Sequence, residues 1–181
     1  MAPSGQLTAP ALQALLQDGM LAGDWTLDPA RSEVHLHTRH TWGLLPLHGR
    51  FEQVSGSGTV TAEGQASGVL TVPAVSVNTK NSQRDKHLRS ADFFDVANHP
   101  DITFTVDSIT PADRGARVSG QLTIRDRTRP ASFDATVAVA DDEITLDGEL
   151  AVDRTDFGLT WNFLGIAAKD STIAVHATFT R

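Results

Sequence analysis

The stretch NTKNSQRDKHLRSADFFDVANHPDITF, residues 78–104, decides how the rest of the chain is read. On either side of it apolar residues recur at every second position, the period of a half-buried strand. Inside it the alternation stops. Asn78, Thr79, Asn81 and Ser82 are turn formers, RDKHLRS at residues 84–90 is charged and polar, and Phe93-Phe94 is an isolated apolar pair. His99-Pro100 closes the segment, because a residue ahead of proline is pushed toward extended geometry. Ile102, Phe104 and Val106 then restart a strand. The stretch is therefore a long crossover between two strand-rich parts, with a helix expected at about residues 82–94. Connections this long are uncommon in compact domains and tend to be functional or to act as lids.

Working outward, Val34, Leu36 and Thr38 alternate with His35, His37 and Arg39, which points the histidines away from the apolar face. Residues 42–47 read as a loop broken by glycine and proline. Gly56 and Gly58 suit a strongly bent strand at a barrel corner. Leu70 and Val72 share one register and Val75 and Val77 the other, so the parity switch across Pro73-Ala74 implies a bulge or an edge. After the crossover the series runs through Val118, Leu122 and Ile124, then Phe133, Ala135, Val137 and Val139. Ile144, Leu146, Leu150 and Val152 follow, and Ile173, Val175, Ala177 and Phe179 complete it. Turn signals at 113–115, 126–130 and 141–142 separate these runs. Many short alternating strands with such turns predict an all-β, antiparallel sandwich or barrel.

A barrel of about eight strands is wide enough to be filled by side chains or to hold one ligand. Gly56, Gly58, Gly120, Ala135, Gly148 and Ala177 are small at inward positions, and the chain has no tyrosine. That composition favours a cavity; the alternative is that small residues relieve barrel curvature. Ahead of the barrel, residues 1–7 read as a disordered tail. Thr8 can cap a helix, Pro10 fits its first turn, Gly19 stops it, and Leu12, Leu15 and Leu16 share one face. The division is then 1–23 for the tail and helix and 24–181 for the barrel. The helix is expected to cap one barrel end, with a lid or a homodimer contact as alternatives.

A net charge of −7 is the wrong sign for a nucleic-acid partner, which needs a basic face. With no cysteine, disulfides and thiolate chemistry are excluded. No apolar run approaches the ~18 residues of a helical membrane span. The first twenty residues lack a basic stretch ahead of an apolar one, so a cytoplasmic location is expected.

The crossover also carries a resemblance. N-T-x-N-x-x-R-D-x-H-L-R-S-x-D-F-F-D-V-x-x-H-P-x-I-T-F is similar to the signature of the YceI-like proteins, a lipocalin-like β-barrel family. GQLTI at 120–124, TRP at 128–130 and DRTDFG at 153–158 continue it. Upstream, WTLD at 25–28, Ser32 and GRF at 49–51 fit as well. The resemblance covers about residues 24–181. It implies a lipocalin-like barrel that binds a long isoprenoid or other lipid chain, with no cofactor. Two other functions stay open: an enzyme of lipid or isoprenoid metabolism, and a filled, stress-related barrel that acts through a protein partner.

Arg84, Asp85 and His87 are the candidate polar constellation. A carboxylate beside an imidazole can orient a general base, and an arginine can hold an anion. No nucleophile accompanies them, however, and on a helix Arg84 and His87 share a face that Asp85 does not. The expected role is to tie the crossover to the barrel or to receive a polar head group, with Arg127 as a second basic candidate. His35 and His37, near His40 and His48, lack a third ligand at zinc-site spacing, so no metal is expected. For the apolar lining, Leu36, Leu70, Phe104, Ile124 and Val137 face inward by parity. Phe93 and Phe94, residues 42–47 with Trp42 and Leu47, and residues 160–166 with Trp161 and Phe163 make the candidate portal.

Overall fold

The computed structural model describes residues 5–40, 45–113, 115–162 and 168–181. Among them are helix α1 (Ala9–Gln17), helix α2 (Ser82–Arg89) and eleven strands. The strands are β1 (Gly23–Leu27), β2 (Glu33–His40), β3 (Leu45–Phe51), β4 (Ser55–Val60), β5 (Ala66–Pro73) and β6 (Val77–Asn78). They continue with β7 (Asp101–Ala112), β8 (Gly115–Ile124), β9 (Arg127–Ala140), β10 (Glu143–Asp153) and β11 (Asp170–Thr180). All pairings are antiparallel. The ring runs β1-β4-β5-β7-β8-β9-β10-β11 and closes where Thr26 of β1 meets Thr180 of β11.

Eight positions hold eleven strands because three staves are kinked. Leu27 of β1 pairs with Phe179, and Val34 of β2 pairs with Val175 further along the same partner. The two strands are halves of one stave, broken by a tight turn at Pro29–Arg31 where Asp28 accepts the Ala30 N–H at 3.0 Å. β3 and β4 are likewise two halves, separated by residues 52–54. β5 and β6 are separated by the turn Ala74–Ser76, which is the physical form of the parity switch at Pro73-Ala74. Residue 45 is already strand, opposite His40, so the loop expected over 42–47 ends sooner.

The kinks decide where the crossover goes. Among the described residues β6 pairs only with β3 and forms an edge, while β7 enters the ring beside β5. Residues 79–100 therefore span from that edge to the ring, fastened by the Ala74 N–H donating to the Pro100 carbonyl at 2.7 Å. The helix stops at Arg89, short of the expected 94. The Ser90 hydroxyl donates to the His87 carbonyl at 2.7 Å, and the chain folds back as turns, with the Phe94 N–H on the Leu88 carbonyl. This return buries Phe94, whose ring meets Phe93 at 4.9 Å and Phe51 at 6.2 Å.

At the other end α1 runs as expected, with Pro10 in its first turn and Gly19 at φ +66° after it. Thr8 makes no side-chain cap bond. The tail expectation is corrected for the described residues before it, because the Leu7 N–H donates to the Val137 carbonyl at 2.7 Å. The apolar interior falls into two clusters. One, from Leu27 to Ala177, fills the middle and the α2 end; the other joins Leu12, Leu16 and Leu21 to Ala116 and Val137 beneath α1.

Candidate functional site: a bore through the barrel

A cavity of about 490 Å³ runs between the helices, lined by Leu12 and Leu16 at one end and by Arg84, His87 and Trp161 at the other. That volume is within the ~300–1,000 Å³ of ordinary ligand pockets. Among the described residues its wall is apolar apart from a few hydroxyls and three basic side chains, Arg84, His87 and Arg154. Strand alternation explains this, since each stave turns its apolar residues inward. Of the residues named from sequence, Leu36, Leu47, Leu70, Phe104, Ile124 and Val137 line it, as do Phe93, Phe94 and Trp161. Trp42 and Phe163 lie outside the described residues.

The small inward positions divide. Gly58, Gly148 and Ala177 line the bore, whereas Gly56, Gly120 and Ala135 do not. A Cβ at Gly120 would run into the Thr105 carbonyl oxygen and lie 3.1 Å from Phe104 Cζ. A Cβ at Gly148 would lie 2.7 Å from two atoms of the Phe133 ring. Phe104 and Phe133, 5.8 Å apart, thus fold into space that two glycines leave, and narrow the bore instead of blocking it. Gly68, opposite Gly58 in the β4–β5 ladder, also lines the cavity, so bare backbone forms the wall there. Its alternation with Leu70 and Val72 is the signal that could have identified it.

The polar constellation separates as helical geometry requires. Asp85, 7% exposed, turns from the bore and accepts the Thr79 N–H at 2.9 Å and the Thr79 hydroxyl at 2.5 Å. Arg84 donates through Nε to Thr79 Oγ1 at 2.7 Å and through Nη2 to the Thr79 carbonyl at 2.8 Å. Asn81 caps the helix by accepting the Arg84 N–H at 3.0 Å, and Arg89 Nη2 reaches the Val77 carbonyl at 2.7 Å. The crossover is bolted to the end of β6. His87 faces the bore with its ring centroid 4.1 Å from that of Trp161, and its enclosed Nε2 has no hydrogen-bond partner among the described residues.

Arg127 does not reach the cavity. It is exposed and lies over Gly158, where a Cβ would come within 3.1 Å of its guanidinium carbon. Arg154 is a further basic residue at the Trp161 end of the bore, one that the sequence pattern did not single out. It is 6% exposed and donates to the carbonyls of Leu159, Trp161 and Ala168, holding the loop that presents Trp161. Burial lowers its pKa, with Asp153 opposing the shift. Asp153 accepts the Thr155 N–H at 2.9 Å and hydroxyl at 2.6 Å; these bonds keep its carboxyl below the usual range. Nothing in local periodicity distinguishes Arg154 from Arg127.

On the outer wall, His37 and His48 pair across β2 and β3 with their Nδ1 atoms 2.7 Å apart, and His35 meets Glu33 at 2.9 Å. Among the described residues no three His, Asp or Glu side chains are grouped to hold a metal.

A closed eight-stave barrel with an apolar bore and a polar end defines a small cavity-bearing β-barrel domain. The sequence profile of the YceI-like domain matches residues 25–179, and the chain belongs to that family. Protein YceI of Escherichia coli O17:K52:H18 is 32% identical over 118 residues, 64% of this chain and 62% of that protein. The chain thus matches less than two thirds of that relative's length. A UPF0312 protein of Pseudomonas aeruginosa LESB58 is 27% identical over 163 residues, 83% of each chain. Among solved structures, Burkholderia cenocepacia BcnA superposes with a TM-score of 0.75 at 25% identity, covering 84% of this chain and 98% of its own. A polyisoprenoid binding domain from Saccharophagus degradans gives 0.67 at 18% identity, covering 86% and 97%, a likeness of fold.

Proposed function

We propose that this protein binds, stores or carries a long apolar chain, a polyisoprenoid or another lipid, inside the barrel, and catalyses no reaction on it. The observation that carries this reading is the bore, apolar from α1 to α2. A solved barrel of the same fold is described as a polyisoprenoid binding domain, which supports the same ligand class. Association costs about 4–15 kcal/mol in lost freedom before net affinity appears. At ~0.8 kcal/mol per buried methylene, a chain of about eight carbons returns roughly 6 kcal/mol, and only longer chains clear the cost. A polar head belongs at the α2 end beside His87 and Arg84, with Arg127 set aside. The enzymatic alternative is disfavoured because Asp85, which would orient His87, is committed to Thr79.

The bore carries its own reporters, since Trp25 and Trp161 line its two ends. Titration with a long polyprenyl alcohol should change tryptophan emission saturably at one equivalent, and an eight-carbon alcohol should bind far more weakly. An absence of saturable change with the long chain would overturn the proposal.

A further inference from the structure

The end of the bore away from Arg84 and His87 is closed by α1. Leu12 and Leu16, one turn apart on a single helix face, are 3% and 8% exposed and line the cavity. Gln13 and Gln17 lie on the exposed side. Ile109, Val137, Ile144 and Leu146 of the strands complete the apolar ring around the two leucines. A nine-residue helix is marginal alone. This one is tied down on both flanks.

Before it, the Leu7 N–H is bonded to β9. After it, Trp25 Nε1 donates to the Leu21 carbonyl at 2.9 Å, and Arg181 Nη1 donates to the Ala22 carbonyl at 3.1 Å. Arg181 also sits over the Trp25 ring, 4.7 Å from its centroid. Along its length, Gly64 at φ +81° brings the β4–β5 turn against Leu16: a Cβ there would lie 2.8 Å from the Leu16 carbonyl oxygen. Such fastening makes a fixed floor and not a swinging flap.

We infer that α1 is a chain-length ruler: Leu12 and Leu16 stop the tail of the bound chain and set the longest chain the barrel encloses. This rests on the reading that the bore holds a long chain with its head at the α2 end. The fourteen residues of β9, at ~3.3 Å per residue and ~40° tilt, give roughly 35 Å as the upper bound on the enclosed length. The floor lies outside the matched family region, which begins at residue 25. Length selection is therefore separable from the barrel that supplies affinity.

The test is a series of polyprenyl alcohols of rising length, bound to the full-length protein and followed by native mass spectrometry and tryptophan emission. Affinity should rise with each added unit and then stop rising at one length. In Leu12→Ala/Leu16→Ala the stop should move to longer chains. The long-to-short affinity ratio just past the old stop should rise about tenfold, equivalent to roughly two further methylenes buried. Leu16→Phe should move the stop the other way, and it carries the test if the double variant does not fold. A stop that stays put in folded variants, or affinity that rises without a stop, overturns the ruler and leaves the bore standing. A wild-type protein that takes up no member of the series overturns the bore reading and the ruler together.

Discussion

Replacing Asp85 by alanine removes the acceptor of two hydrogen bonds from Thr79, a residue only 4% exposed. The Thr79 N–H and hydroxyl proton then lose their acceptor at a buried site. An unsatisfied buried donor costs about 1–3 kcal/mol, so the pair should cost about 2–6 kcal/mol. For a domain of this size about 1 kcal/mol corresponds to roughly 2–4 °C, giving a fall of roughly 4–24 °C in Tm. Both bonds end on the same carboxylate oxygen, so Asp85→Asn can keep that acceptor, loses only the negative charge, and should cost less than Asp85→Ala. Differential scanning calorimetry reads the Tm, and a double-mutant cycle with Thr79→Val isolates the hydroxyl bond, which should couple by about 1 kcal/mol. Asp85→Ala melting within ~2 °C of wild type would refute the reasoning, because the crossover would then be held by something else.

Gly148→Ala puts a methyl 2.7 Å from the Phe133 ring, which should swing into the bore; overpacking of about 1–3 kcal/mol and a loss of long-chain uptake are expected. Unchanged uptake by the folded variant would remove Phe133 from the constriction. His87→Ala should weaken alcohols and other polar-headed chains relative to hydrocarbons of equal length, measured by competitive titration; equal weakening of both would show that the imidazole acts only by packing. Acid should destabilise the fold. A hydrogen bond from Arg31 holds Glu143 below the ordinary carboxylate range, one from His35 does the same for Glu33, and Thr155 does so for Asp153. A lowered native pKa stabilises above the unfolded value and is lost as pH falls through the native one. Tm should therefore drop below about pH 5, less steeply in Glu143→Gln, and identical profiles would contradict this.

The alternation of residues 102–106 and 118–179 made the antiparallel staves legible, and the same parity placed Leu36, Phe104, Ile124 and Val137 on the bore. The kinked staves were not legible. A parity break at Pro73-Ala74 shows that a strand is interrupted, but only pairing far along the chain shows that the next piece continues the same stave. The small residues had the same ambiguity. A glycine inside a barrel leaves space, yet whether a ligand or a neighbour's ring takes it depends on the facing strand. Phe104 lies beside Gly120, and Phe133 occupies the place a side chain at Gly148 would take. Helical spacing did separate Asp85 from Arg84 and His87. Arg127 and Arg154 are equivalent in charge and differ only in burial, which the loop carbonyls around Arg154 decide.

The most direct test of the central claim is native mass spectrometry of the protein before and after solvent extraction and reloading. The bore predicts one long apolar chain per protein, released by the solvent and taken up again at one equivalent from a long-chain lipid mixture. A protein that keeps its bare mass after incubation with long polyprenyl and fatty chains would contradict it.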